Sequence, residues 1–227
     1  MQWLSQLKRQ GFAMVPSLLR LDEVRRMILV LGRTSPGTSR GGRRDVLDGA
    51  EDLRHIAAHP NVRAIVDAVL GPEAFVARAT LSDKTPDANW KVPWHQDVTI
   101  AVKDRKEVEG YGPWSVKGGI VHVQPPSGVL ERMITVRIHL DSCDEESGAL
   151  RVIPASHMLG RLNQNDVSLH VQQGDPTCCS ANSGDALVMR PLLLHASSAA
   201  AKPTHRRVLH LDYAVGCLDG GLRWRMH

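Results

Sequence analysis

Pro93-Trp94-His95-Gln96-Asp97-Val98-Thr99-Ile100-Ala101-Val102 carries a histidine and an aspartate two residues apart in a stretch with β-strand character. Side chains at i and i+2 of a strand point to one face. One imidazole and one carboxylate would therefore converge on one point. A further histidine would complete a two-histidine, one-carboxylate set, which grips one side of a ferrous ion and leaves positions open. The triplet alone does not decide this, because His-x-Asp occurs three times: His95/Asp97, His139/Asp141 and His210/Asp212. His210/Asp212 has only the terminal His227 downstream and reads as a structural pair. His139/Asp141 runs into the turn-like Asp144-Glu145-Glu146-Ser147-Gly148. His95/Asp97 leaves room for a distal ligand.

His195 is the best distal histidine. It ends the apolar segment Ala186–Leu194, interrupted only by Arg190-Pro191, just before the small polar run Ala196-Ser197-Ser198. Eleven residues further on, Arg206 opens another strand. A barrel that uses iron with a dicarboxylate needs a fixed cation near the metal, and arginine grips a carboxylate in bidentate fashion. Arg206 and Arg207 point to opposite faces of that strand. Val208, His210 and Asp212 share the phase of Arg206; Leu209, Leu211 and Tyr213 share that of Arg207. The more polar phase selects Arg206 for the site.

Outward from these residues, the chain reads as one domain: a helical N-terminal part, 1–72, and a β-rich core, 73–227. Leu21 to Leu31 has helical apolar spacing with Gly32 as a stop, and Asp48 to Ala58 and Pro60 to Leu70 follow as helices. From Phe75 the texture changes to short strands separated by turns: Phe75–Leu81, Trp90–Val102, Ile120–Val123, Met133–Leu140, Ala149–Ile153, Ala186–Met189 with Leu192–His195, and Arg206–Val215. That spacing predicts a mainly β fold with added helices, a double-stranded β-helix (jelly roll) of cupin-like kind, with the helices packed outside. Thr34–Gly42 and Lys103–Gly119 read as loops that could cover the barrel mouth. Candidate pocket residues are Thr135 and Arg137 on one strand phase, Lys91 and Trp94 beside the metal strand, and Gln124 at a strand end. His55 and His59 lack a third ligand and read as a solvent-facing pair.

The 227 residues, 42% hydrophobic and 23% charged, fit a soluble globular protein, and the net charge of +4 is mild. No basic run interleaves with aromatics, which argues against nucleic acid as a partner. No stretch reaches the roughly 18 apolar residues of a membrane span. Four cysteines form neither a disulfide framework nor a zinc pattern, which fits a cytoplasmic location. The expected partner is a small molecule, and the expected state a monomer or homodimer.

Four segments in order resemble the phytanoyl-CoA dioxygenase family of Fe(II)/2-oxoglutarate oxygenases. They are Gly11-Phe12-Ala13-Met14-Val15-Pro16, Trp94-His95-Gln96-Asp97, Ser147-Gly148-Ala149-Leu150 through Pro154-Ala155-Ser156-His157, and Gly184-Asp185-Ala186 through His195-Ala196-Ser197 followed by Arg206. Ala155 stands where the family signature has glycine. The resemblance implies that His95, Asp97 and His195 bind Fe(II), and that Arg206, helped by Ser197, holds the distal carboxylate of 2-oxoglutarate. His157 would be a structural, turn-bracing residue. The implied reaction consumes 2-oxoglutarate and O2, releases succinate and CO2, and hydroxylates a small molecule. Asp97 separates the chain from related halogenases, which lack that carboxylate. The alternative is a cupin-like metal- or ligand-binding protein without 2-oxoglutarate turnover.

Overall fold

The computed structural model describes residues 1–33, 43–44, 46–47 and 51–226. The expected loop Thr34–Gly42 lies outside the described residues. In chain order the helices are α1 (Gln2–Gln10), α2 (Leu21–Arg33), α3 (Glu51–Ala57), α4 (Pro60–Leu70), α5 (Ser127–Glu131) and α6 (Gln164–Gln173). The first seven strands are β1 (Phe12–Val15), β2 (Arg43–Arg44), β3 (Phe75–Lys84), β4 (Val92–His95), β5 (Ile100–Val102), β6 (Trp114–Lys117) and β7 (Ile120–Val123). The remaining six are β8 (Met133–His139), β9 (Leu150–Val152), β10 (Thr177–Cys179), β11 (Ala186–Met189), β12 (His195–Ser197) and β13 (Arg206–Ala214).

Six strands form the large sheet in the order β1-β11-β8-β13-β3-β2, and four form the second, β10-β9-β12-β4. All the pairings are antiparallel. The large sheet alternates sharply. Ile134, Val136 and Ile138 of β8 and Leu209, Leu211 and Tyr213 of β13 point outward, where they pack with Val24, Met27, Val62, Ile65 and Val66 of the helices. Thr135, Arg137 and His139, and Arg206, Val208, His210 and Asp212, point inward. Burying each outward side chain stabilises the fold by about 1.5–3 kcal/mol. The apolar phase therefore belongs to the helices, and the polar phase is turned to the space between the sheets.

Local chemistry places the helices. Arg20 N–H donates to Glu23 Oε2 (2.8 Å) and caps α2. Pro60 opens α4, where His59 Nδ1 accepts from Asn61 N–H (3.2 Å). His59 also meets Glu23 at 3.3 Å, so it is a cap and not half of a solvent-facing pair. Helix α2 runs through Gly32 to Arg33 instead of stopping there. Within the N-terminal part, β1 adds an edge strand to the large sheet against β11.

Two further differences from the sequence reading have local causes. The expected strand Trp90–Val102 breaks into β4 and β5, which lie in different sheets. The expected loop Lys103–Gly119 contains β6, which pairs with β7 from Trp114↔Val123 to Lys117↔Ile120. Helix α6 was not anticipated from apolar spacing; its signal is Asn163, whose Oδ1 accepts from Asn165 N–H (2.9 Å) and Asp166 N–H (3.0 Å).

His157 sits in a short 3-10 turn, Ser156–Leu159, against the end of α1. Gly11 ends α1 in the left-handed region (φ +81°), and a Cβ there would lie 2.5 Å from His157 Nδ1 and 2.9 Å from Leu193 Cδ1. His157 braces the junction of α1 and β1. We expect Gly11→Ala to lower unfolding free energy by about 2–4 kcal/mol through strain and overpacking, as measured by denaturant titration.

Candidate metal centre

Strand β4 ends at His95 and β12 begins at His195, and the antiparallel register sets these two residues opposite each other. Their ring centroids lie 4.2 Å apart. After His95 the chain leaves the sheet. Gln96 turns inward and is pinned from three sides: its Nε2 donates to Gly160 O (2.8 Å) and Leu192 O (2.7 Å), and its Oε1 accepts from Leu162 N–H (2.8 Å). Asp97 N–H then donates to Pro191 O (2.9 Å). Asp97 thus reaches the histidines from a pinned loop, and strand alternation between i and i+2, expected from the sequence, is not what brings them together.

Asp97 Oδ1 lies 3.9 Å from His95 Nε2, and Oδ2 lies 3.7 Å from His195 Nε2. One ligand atom from each of the three falls within 4.8 Å of the others, the metal-compatible cluster found among the described residues. Each histidine Nδ1 contacts a backbone carbonyl two residues earlier, Pro93 O for His95 and Leu193 O for His195, both at 2.9 Å. A carbonyl only accepts, so each Nδ1 carries the proton and each Nε2 offers its lone pair to the centre. Burial pulls the pKa of His195 down to about 4 against the opposing pull of Asp97, so it is neutral at pH 7. Burial pushes the Asp97 carboxyl up, but His195, Arg78, His95 and Arg137 together outweigh it and hold the group at about 2. Two imidazoles and one carboxylate, converging from one side, fit a divalent ion with open positions.

The centre opens into a cavity of about 370 Å³ between the sheets. Its floor is a polar ladder built by register: β13 sets Arg206 beside Lys84, His210 between Thr80 and Arg137, and Asp212 between Arg78 and Thr135. At one end Arg206, 5% exposed, donates through Nη1 to Gly148 O, while its Nε has no hydrogen-bond partner. Ser197 is buried beside it and accepts from Lys84 Nζ at 3.2 Å. Arg137, 7% exposed, lines the middle, and its buried Nε is also unpartnered. Burial, then Arg206, lower its pKa to about 10, which leaves it charged. At the other end Arg78 Nε meets Asp212 Oδ2 at 2.5 Å, and Thr135 Oγ1 donates to Asp212 Oδ1 at 2.6 Å. Arg207 points away and pairs with Asp141 through two contacts of 2.8 Å.

Four expected pocket residues lie elsewhere or are otherwise engaged. Trp94 is on the outward phase of β4, packed with Ile153, Val167 and Leu194, with Arg151 5.6 Å from its ring. Lys91 is exposed to solvent, outside the cavity lining. Gln124 holds the Gly112-Pro113 turn through its backbone, also outside the lining. Thr135 is committed to Asp212. Conversely, Arg78, Lys84 and Trp90 line the cavity and were not anticipated there, while His210 lines it on the phase it shares with Arg206. The missed signal was the alternation Arg78, Thr80, Ser82, Lys84 against Ala77, Ala79, Leu81, which marks β3 as having one polar, inward phase. His210/Asp212, expected to be only structural, is part of this wall.

A jelly roll with two histidines and an aspartate turned into a cation-lined interior is a protein of the cupin-like class. The model of the phytanoyl-CoA dioxygenase (PhyH) family matches residues 7–208, and the chain belongs to that family, which is one of Fe(II)/2-oxoglutarate-dependent oxygenases. Comparison with curated protein sequences finds no match. Among solved structures, the chain is similar to the non-heme alpha ketoglutarate dependent epimerase SnoN from nogalamycin biosynthesis, at 18% identity and TM-score 0.71, covering 99% of this chain and 84% of that one. It is similar to AviO1 from Streptomyces viridochromogenes Tue57, at 19% identity and TM-score 0.69, covering 95% of each chain. HygX from Streptomyces hygroscopicus, with nickel and 2-oxoglutarate bound, gives 15% identity and TM-score 0.68, covering 94% of this chain and 85% of that one. At these identities the likeness is one of fold. No described helix is long and apolar enough to cross a membrane.

The Arg78–Asp212–Thr135 group braces the cavity wall. Removing the carboxylate leaves a guanidinium and a hydroxyl facing a poorly solvated site. Asp212→Ala should therefore lower stability by about 2–4 kcal/mol, as read from chemical denaturation.

Proposed function

We propose that this chain is an Fe(II)- and 2-oxoglutarate-dependent dioxygenase that hydroxylates a small-molecule substrate, with release of succinate and CO2. His95, Asp97 and His195 would hold the iron, and Arg206 with Ser197 would hold the far carboxylate of 2-oxoglutarate. One observation carries this reading: the three-ligand cluster and the buried Arg206 guanidinium, with an unpartnered Nε, line the same cavity. Family membership supports it, as do the 2-oxoglutarate and nickel bound in HygX. With metal, co-substrate and O2 bound, the iron supplies the oxidising chemistry.

The chain's own residues set the conditions. The carbonyls of Pro93 and Leu193 orient the two imidazoles, a support that typically matters tenfold or more for metal affinity. The pinned Gln96 fixes the approach of Asp97. Arg206 offers a planar fork to a carboxylate at a distance from the ligands that the cavity sets. Arg137, between the two, supplies a cation for the 1-carboxylate or for an anionic group of the substrate. Thr99, Lys117 and the Arg78–Asp212 pair shape the remaining space. A cavity near 370 Å³ lies at the small end of the range for ligand pockets, about 300–1,000 Å³, which suits a small polar substrate.

Anaerobic addition of Fe(II) and 2-oxoglutarate to the purified chain is expected to produce a visible metal-to-ligand charge-transfer band. Its absence from iron-loaded protein would overturn the reading. His95→Ala and Asp97→Ala should each abolish the band by loss of metal binding. Arg206→Ala should weaken 2-oxoglutarate binding by about 100-fold, the loss of a charge-assisted bidentate contact, while metal affinity is kept. Arg207→Ala should leave both unchanged. If Arg207→Ala instead weakens co-substrate binding, the assignment of the inward arginine is wrong.

A further inference from the structure

We propose that Lys84 completes the co-substrate seat: its ammonium and the Arg206 guanidinium together take the distal carboxylate of 2-oxoglutarate, and binding of that dianion is coupled to protonation of Lys84. This rests on the function proposed above. Lys84 is the last residue of β3 and lies opposite Arg206 in register. It is 1% exposed and lines the cavity. Its Nζ donates to Ser197 Oγ (3.2 Å) and to Ser198 O. An ammonium has three N–H groups, so one is left for a ligand in the cavity. Ser197, itself a candidate for the same carboxylate, is held in place by this contact.

The surroundings lack an anion. Arg206 faces Lys84 from β13 and Arg137 from β8, both cationic; Cys143 lies beyond β8; Ser197 and Ser198 face it from β12 and the turn after it; and the Trp90 ring lies 6.0 Å away. The neighbouring carboxylate, Asp83, is on the opposite phase of β3 and bonds His205 at 2.9 Å. Among the described residues no carboxylate pairs with Lys84. Arg206 feels Asp83 and Arg137 feels Asp97 through space, but no carboxylate of the described residues acts on Lys84; a buried cation in that position is costly, and a bound carboxylate supplies the charge it lacks. In keeping with this, burial, then Arg206 and Arg137, pull Lys84 down to about 7, with Cys143 opposing.

The direction of the pH effect follows. Well below pH 7 Lys84 is already charged, and the carboxylate binds without proton exchange. Above pH 7 the free protein carries a neutral amine, so the dianion must bring a proton with it. Affinity therefore falls as pH rises through and beyond 7.

The test is calorimetric titration of the Mn(II)-loaded full chain with 2-oxoglutarate, at about pH 6.5 and 8.5, in buffers of different ionisation enthalpy. Binding should be about 20-fold weaker at the higher pH, with uptake close to one proton there. Lys84→Arg should keep the affinity and lose both the pH slope and the uptake. Lys84→Met should weaken binding about 10–100-fold at pH 6.5 with Mn(II) affinity unchanged. Wild-type binding without proton uptake at pH 8.5 overturns the inference by itself, whatever the variants do. So does unchanged uptake in Lys84→Arg or unchanged affinity in Lys84→Met. Failure of the wild type to bind 2-oxoglutarate at either pH is a different result, which overturns the proposed function and this inference with it.

Discussion

The large sheet has to satisfy two opposite demands, and the site depends on how it does so. Its outer face is sealed by helices α1 to α4 and must be apolar. Its inner face carries arginines, a lysine, a histidine and an aspartate where most sandwiches bury hydrocarbon. Each strand of the centre, β3, β8 and β13, meets both demands by alternation over most of its length. The apolar phase provides the burial that holds the domain together. That stability offsets the cost of keeping several charged groups half out of water on the other side.

The polar phase is not loosely arranged. Asp212 neutralises Arg78 and is held by Thr135, so one end of the floor is internally compensated. At the other end Lys84, beside Arg206, has no carboxylate partner among the described residues. The middle, with Arg137, lies between that uncompensated end and the Asp97 carboxylate. An interior that is balanced at one end and electron-poor at the other has a built-in direction. A dicarboxylate lying along it would meet cations at its far end and the metal ligands at its near end.

The proposed metal ligands come from the four-stranded sheet and the loop that leaves it after His95, and their geometry rests on short contacts between main chain and side chain. The register of β4 and β12 sets the two imidazoles opposite each other, tilted by 51°. Two carbonyls fix their tautomers. Gln96, between His95 and Asp97 in sequence, carries three hydrogen bonds that steer the chain out of the strand and deliver Asp97. None of these anchors is a ligand, yet each controls where a ligand atom sits.

Much of this was legible in the amino-acid sequence. The period-two pattern in Arg206–Asp212 separated Arg206 from Arg207, because alternation in a strand is a property of the backbone and needs no knowledge of neighbours. The order of His95, Asp97, His195 and Arg206 along the chain, and the β-rich texture after residue 73, were likewise local facts. What the tertiary structure alone decided was which strands lie side by side and which side chains meet across them. It broke Trp90–Val102 at Gln96, turned Trp94 outward, occupied Thr135 with Asp212, and set Lys84 beside Arg206. Those outcomes depend on partners distant in sequence, such as Asp212 for Thr135 and Ser197 for Lys84. A sequence records the side chains on offer, while cross-strand register, fixed only on folding, determines which of them meet.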